Sequence, residues 1–179
     1  EVDLLNNDST DYYYKIPDYP AQYTSGNVAA RVVDGLGFRY YWATQGLRGE
    51  DLSFKPTDEA RTTDQTLNHL YTLTLISYNA VSGNSNQEYP NPESWSFEEK
   101  RARTLDNIKR ASELLKSSSE ADLMKYTTVL GNSQYPFWNM LNGPIADALW
   151  HVGQVVSFRR SSGNPLDANA STVRGGEID

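Results

Sequence analysis

Residues 144–158 read PIADALWHVGQVVSF. A proline opens the stretch and apolar or small side chains fill most of it. Three polar groups interrupt them, Asp147, His151 and Gln154, at i, i+4 and i+7. That spacing is helical, because residues three and four apart stand above one another on one helix face. Pro144 suits a first helical position, and Ser162, Gly163 and Pro165 stop the run near Ser161. With Ala148, Leu149, Val152, Val155 and Val156 around it, the polar stripe is expected to be desolvated. A buried carboxylate needs a cation or strong donors beside it. An arginine would serve, and so would a metal ion, which satisfies Asp147 and a neutral His151 together. Without a metal, Asp147 would favour protonation of a histidine near it.

Three further helices are legible upstream. Val33, Leu36, Tyr40, Ala43 and Leu47 step by three and four, giving a helix over 26–47. Thr62 and Gln65 have capping-box spacing, and His69, Leu73, Ile76 and Ala80 then share a face of a helix over 61–82. Ser96 and Glu99 form a second such box, followed by Ala102, Leu105, Ile108 and Leu115 on a helix over 95–117. With the last helix over 143–161 and connections of moderate length, an all-α four-helix bundle over 26–163 is expected. Residues 1–25 are acidic and tyrosine-rich, and read as an extended arm. Tyr12, Tyr13 and Tyr14 either pack it down or form a binding surface. Residues 123–138 read as irregular with room for a short helical turn, no strand pair is in view, and the tail 164–179 reads as loosely ordered.

His69 and His151 are the two histidines in the chain, and both fall on faces expected to meet. Facing helices are where bundles build metal sites, although an Asp–His pair is also a common structural bond. Arg159 and Arg160 lie in a last helical turn, where they favour the helix C-terminus. Tyr71 and Tyr78 on the second helix either line a pocket or belong to the core.

Composition narrows the function. Across 179 residues, 16 basic side chains oppose 23 acidic ones, a formal charge of −7. That balance argues against nucleic acid or an anionic membrane as partner. No apolar run reaches the ~18 residues of a membrane span. Cysteine is absent, which removes disulfides, thiolate metal sites and a cysteine nucleophile. A chain starting at Glu1 is expected to be processed, so export after loss of a signal peptide and a cytoplasmic location both stay open.

Three stretches resemble the DinB family, grouped with bacterial thiol S-transferases: DLSFKP at 51–56, LNHLYTL at 67–73 and DALWHVGQVVSFRRSSGNP at 147–165. The last is the specific one, with Gly153 and Gln154 at the expected offset. The resemblance implies a bundle of up-down-down-up type, homodimerisation and a divalent metal (zinc, nickel, manganese or iron) held by three histidines. Carried over, those ligands fall on His69, Asp147 and His151, with a carboxylate where the family has a histidine. A carboxylate is an acceptable ligand for these ions. Gln154 matches a glutamine read as supporting the site by hydrogen bonding. The implied activity is a metal-dependent thiol S-transferase or hydrolase-like reaction on a small-molecule or thiol substrate. The alternative is a non-catalytic helical interaction module that keeps the fold without metal.

Overall fold

In the computed structural model, residues 11–84 and 89–178 are described, and the expected arm residues 1–10 lie outside them. The described chain is mostly helical with two small antiparallel sheets. Four long helices dominate: α1 (Ser25–Thr44), α2 (Thr63–Ser82), α3 (Phe97–Ser117) and α4 (Ala146–Ser161). α1 and α2 each pack against both α3 and α4. The core is built by the stripes legible in the sequence. Val33, Leu36, Tyr40 and Ala43 of α1, Leu73, Ile76 and Ala80 of α2, and Ala102, Leu105, Ile108 and Leu115 of α3 are all buried.

Caps fix where the helices start. The Thr62 hydroxyl accepts from the Gln65 N–H at 3.1 Å while the Gln65 amide oxygen accepts from the Thr62 N–H at 2.9 Å, a complete capping box. At α3 only the forward half forms, with Ser96 Oγ accepting from the Glu99 N–H at 3.1 Å. The Glu99 carboxylate instead bonds Arg103 one turn on.

Extra helical turns precede the last helix. Helical backbone begins at Phe137, and Leu141–Ile145 forms one wide π turn that is kinked at Gly143, whose φ −96°, ψ −105° are not helical. Pro144 is therefore the first helical residue after the kink, in the segment that runs on into α4. The wide turn tolerates it, because the broken ladder does not require the N–H that proline lacks.

Two regions expected to be irregular are ordered. Thr127–Leu130 (β1) pairs with Ser133–Pro136 (β2). Gly131 at φ 57° opens the two-residue turn between them, the position where a II′ hairpin requires positive φ. The alternation that marks strands is too short here to stand out from the sequence. The tail also folds back, as Ala170–Ser171 (β3) pairs with Gly176–Glu177 (β4). It bonds the arm too, with Ile16 N–H donating to the Gly175 carbonyl at 2.8 Å.

The arm is held down by its tyrosines. Tyr13 is 1% exposed, and its hydroxyl donates to Asp34 Oδ1 at 3.0 Å. Asp34 also accepts from Ser112 Oγ at 2.6 Å and pairs with Lys116 Nζ at 2.9 Å. Gly37 makes room for this ring, since a Cβ there would lie 2.5 Å from it. Gly37→Ala is expected to destabilise the fold by about 1–2 kcal/mol: overpacking costs ~1–3 kcal/mol, offset by up to ~1 kcal/mol of helix propensity. Urea unfolding of the variant checks this, and an unchanged or raised midpoint would contradict it.

Candidate metal centre

α4 presents two faces. Ala148, Val152, Val155 and Arg159 are buried, whereas Trp150 is 74% exposed. Asp147, His151 and Gln154 lie between these faces, ~100° around the helix from the centre of the buried side at 100° per residue. The stripe is therefore half-open, which corrects the expectation that it is desolvated. The Asp147 side chain is 41% exposed, His69 31% and His151 16%. The buried positions repeat at 148, 152, 155 and 159, and the polar stripe precedes each of the first three by one residue.

His69 reaches this stripe from α2. Its Nε2 stands 3.4 Å from Asp147 Oδ2, and His151 Nε2 stands 3.4 Å from Asp147 Oδ1. The two imidazoles meet edge to face, with ring centroids 4.6 Å apart. One ligand-capable atom from each of the three residues lies within 4.8 Å of the others. Residues 78 positions apart are thus brought to one point by the packing of α2 on α4.

Gln154 fixes the second histidine. Its Oε1 lies 2.7 Å from His151 Nδ1. An amide oxygen can only accept, so this contact selects the tautomer with the proton on Nδ1 and leaves the lone pair of Nε2 facing Asp147. Trp150 lies beyond the stripe on the exposed face of α4.

The His69 pKa is lowered. Burial is the largest cause, followed by the charges of His151 and Arg61, and these outweigh the opposing pull of Asp147. The lowering favours the neutral imidazole, the form that ligates metals.

Other singled-out residues have structural roles. Tyr71 is buried and packs edge-on against Trp95, with centroids 4.9 Å apart. Arg159 is buried rather than merely facing the helix end. It donates to the carbonyls of Trp42 and Ala43 at 3.0 Å each and to the Asn164 carbonyl at 2.7 Å. A network that sequence reasoning missed is centred on Asp51, whose side chain has no exposed surface. It accepts from Arg48, Ser162 and Asn164. The signal was the pairing of DLSFKP with RRSSGNP, two polar segments whose shared carboxylate, on the short helix Gly49–Ser53, ties the chain after α1 to the end of α4.

Neither a protein-family model nor a curated protein sequence matches the chain. Among solved structures, a DinB-like protein (YjoA) from Bacillus subtilis is similar, at 12% identity and a TM-score of 0.49, over 90% of this chain and 96% of that one. Among the described residues no helix is long and apolar enough to cross a membrane.

Proposed function

We propose that the chain is a divalent-metal-binding protein built on a DinB-like four-helix bundle, with His69, Asp147 and His151 as the protein ligands. The carrying observation is the convergence of these groups with 3.4 Å between each imidazole Nε2 and a carboxylate oxygen. Charge-assisted hydrogen bonds are shorter, ~2.7–2.9 Å. Two ligand atoms on one tetrahedral ion with bonds of ~2.1 Å stand ~3.4 Å apart. The donor set fits as well: two imidazoles and one carboxylate suit zinc, nickel, manganese and iron, and no thiolate is present to narrow the choice.

Three protein ligands with a half-exposed carboxylate leave a position open to solvent, the plan of a catalytic rather than a closed structural site. A divalent ion held there supplies a Lewis acid toward a water or substrate atom. The chain's own residues divide the remaining work. Gln154 holds the His151 ring and its tautomer, and burial favours the neutral form of His69. The open side admits a small molecule. This is the ground plan of a metal-dependent transferase or hydrolase-like enzyme. The second reading, an interaction module, has one observation of its own: Tyr19, Tyr23, Val28 and Val32 form an exposed patch where the arm meets α1.

Metal analysis after incubation with zinc, manganese or nickel tests the reading. Roughly one ion per chain, lost in His69→Ala, is expected. No uptake of any of the three would reject it and leave the module. Gln154→Ala is expected to weaken metal affinity roughly 10–100-fold while leaving the fold intact. Competition with a chromophoric chelator measures this, and an unchanged affinity would remove Gln154 from the site.

A further inference from the structure

A polar groove of ≈ 360 Å³ adjoins the metal centre on the α2 side, walled by Arg61, Asn68, His69 and Thr72 on one flank and by Asn91 and Glu93 on the other. The volume lies in the range of small-molecule sites, ~300–1,000 Å³. His69 belongs both to the metal centre and to this wall, so the two share a side chain. Two charged side chains of the groove are unspent by the fold. Arg61 makes no hydrogen bond or ion pair among the described residues. Glu93 faces the same space, and its side chain is likewise in no ion pair there.

Opposite charges lining one groove, unpaired with each other, form a receptor for a molecule carrying both signs. Arg61 offers a fork that matches a carboxylate, while Glu93 accepts from an ammonium group. We infer that the groove holds the amino-acid-like, zwitterionic end of a small substrate whose other end reaches the metal centre. This rests on the metal-site reading above, and two separate measurements keep their failures apart.

Four hydroxamates serve as probes, each carrying the same metal-binding group. Glutamate γ-hydroxamate has both charges, glutaric acid monohydroxamate lacks the ammonium, 4-aminobutyrohydroxamate lacks the carboxylate, and butyrohydroxamate lacks both. On the zinc-loaded protein the zwitterion is expected to bind at least about ten-fold tighter than butyrohydroxamate, the gain of roughly one well-made charged contact. Arg61→Gln should remove the gain due to the carboxylate and Glu93→Gln the gain due to the ammonium, with zinc affinity unchanged in both. Equal affinity for all four probes, or gains that survive both substitutions, would overturn the inference. If the protein takes up no metal, free glutamate is titrated into the ¹⁵N-labelled chain. Shifts confined to the amides around Arg61, Asn68 and Glu93 would uphold the groove, and their absence would reject it.

Discussion

Asp51→Ala is expected to destabilise the protein by about 3 kcal/mol. Asp51 is fully buried and accepts five hydrogen bonds: from the Arg48 N–H at 2.7 Å, Arg48 Nε at 3.0 Å and Nη2 at 2.9 Å, Ser162 Oγ at 2.6 Å, and Asn164 Nδ2 at 2.7 Å. Removing one member of a buried pair leaves donors unanswered, at ~3–5 kcal/mol. The lower end applies because the Arg48 side chain is 48% exposed and rehydrates. Asp51→Asn is no remedy, since both carboxylate oxygens face donors and one would become an NH₂ group. The Arg48 guanidinium, followed by the Ser162 and Asn164 contacts, holds the Asp51 carboxyl well below its usual range. A carboxyl with a depressed folded pKa contributes stability that is fully present above its ordinary value near ~4 and is lost as pH falls further. Urea midpoints measured from pH 5 down to pH 2.5 should therefore fall more steeply in wild type than in Asp51→Asn. Parallel slopes would contradict the assignment.

Zinc at about 100 times its dissociation constant is expected to raise stability by about 2.7 kcal/mol. For a chain of this size that is a shift in Tm of roughly 5–10 °C. The ions bind the folded state because only folding brings His69 to Asp147 and His151. His151→Ala removes a ligand and the group that Gln154 orients, so the shift should vanish. His69→Ala should abolish it equally, although it lies on another helix and 82 positions separate it from His151 in sequence. A shift that persists in both variants would mean that zinc binds elsewhere.

The sequence made the helices and the three converging residues legible for the same reason. Apolar stripes of period 3.6 report which faces meet, and polar side chains in phase with them must meet too. The DxxxHxxQ stripe and His69, in phase with Leu73 and Ile76, carried that signal. Exposure was not legible as readily. Whether a polar stripe lies at the centre or the rim of a buried face depends on a rotation of ~100°, and neighbours such as Leu149 and Val156 obscured it. The β1–β2 hairpin was hidden because Thr127–Leu130 and Ser133–Pro136 are too short for a period of two to register. The Asp51 network was hidden because it is long-range, with Ser162 and Asn164 more than 110 residues away. Pairing of that kind is set by the packed helices, not by local pattern.

The role of Asp147 is the centre of the account, and calorimetric titration of zinc, manganese and nickel into wild type, Asp147→Asn and Asp147→His tests it most directly. As a ligand, Asp147 gives the three-residue cluster a charge of −1, and its loss in Asp147→Asn should weaken binding of all three ions. Asp147→His puts back the histidine that the resembling family carries and should retain or strengthen binding. Equal, weak binding by all three proteins would show that Asp147 holds no metal.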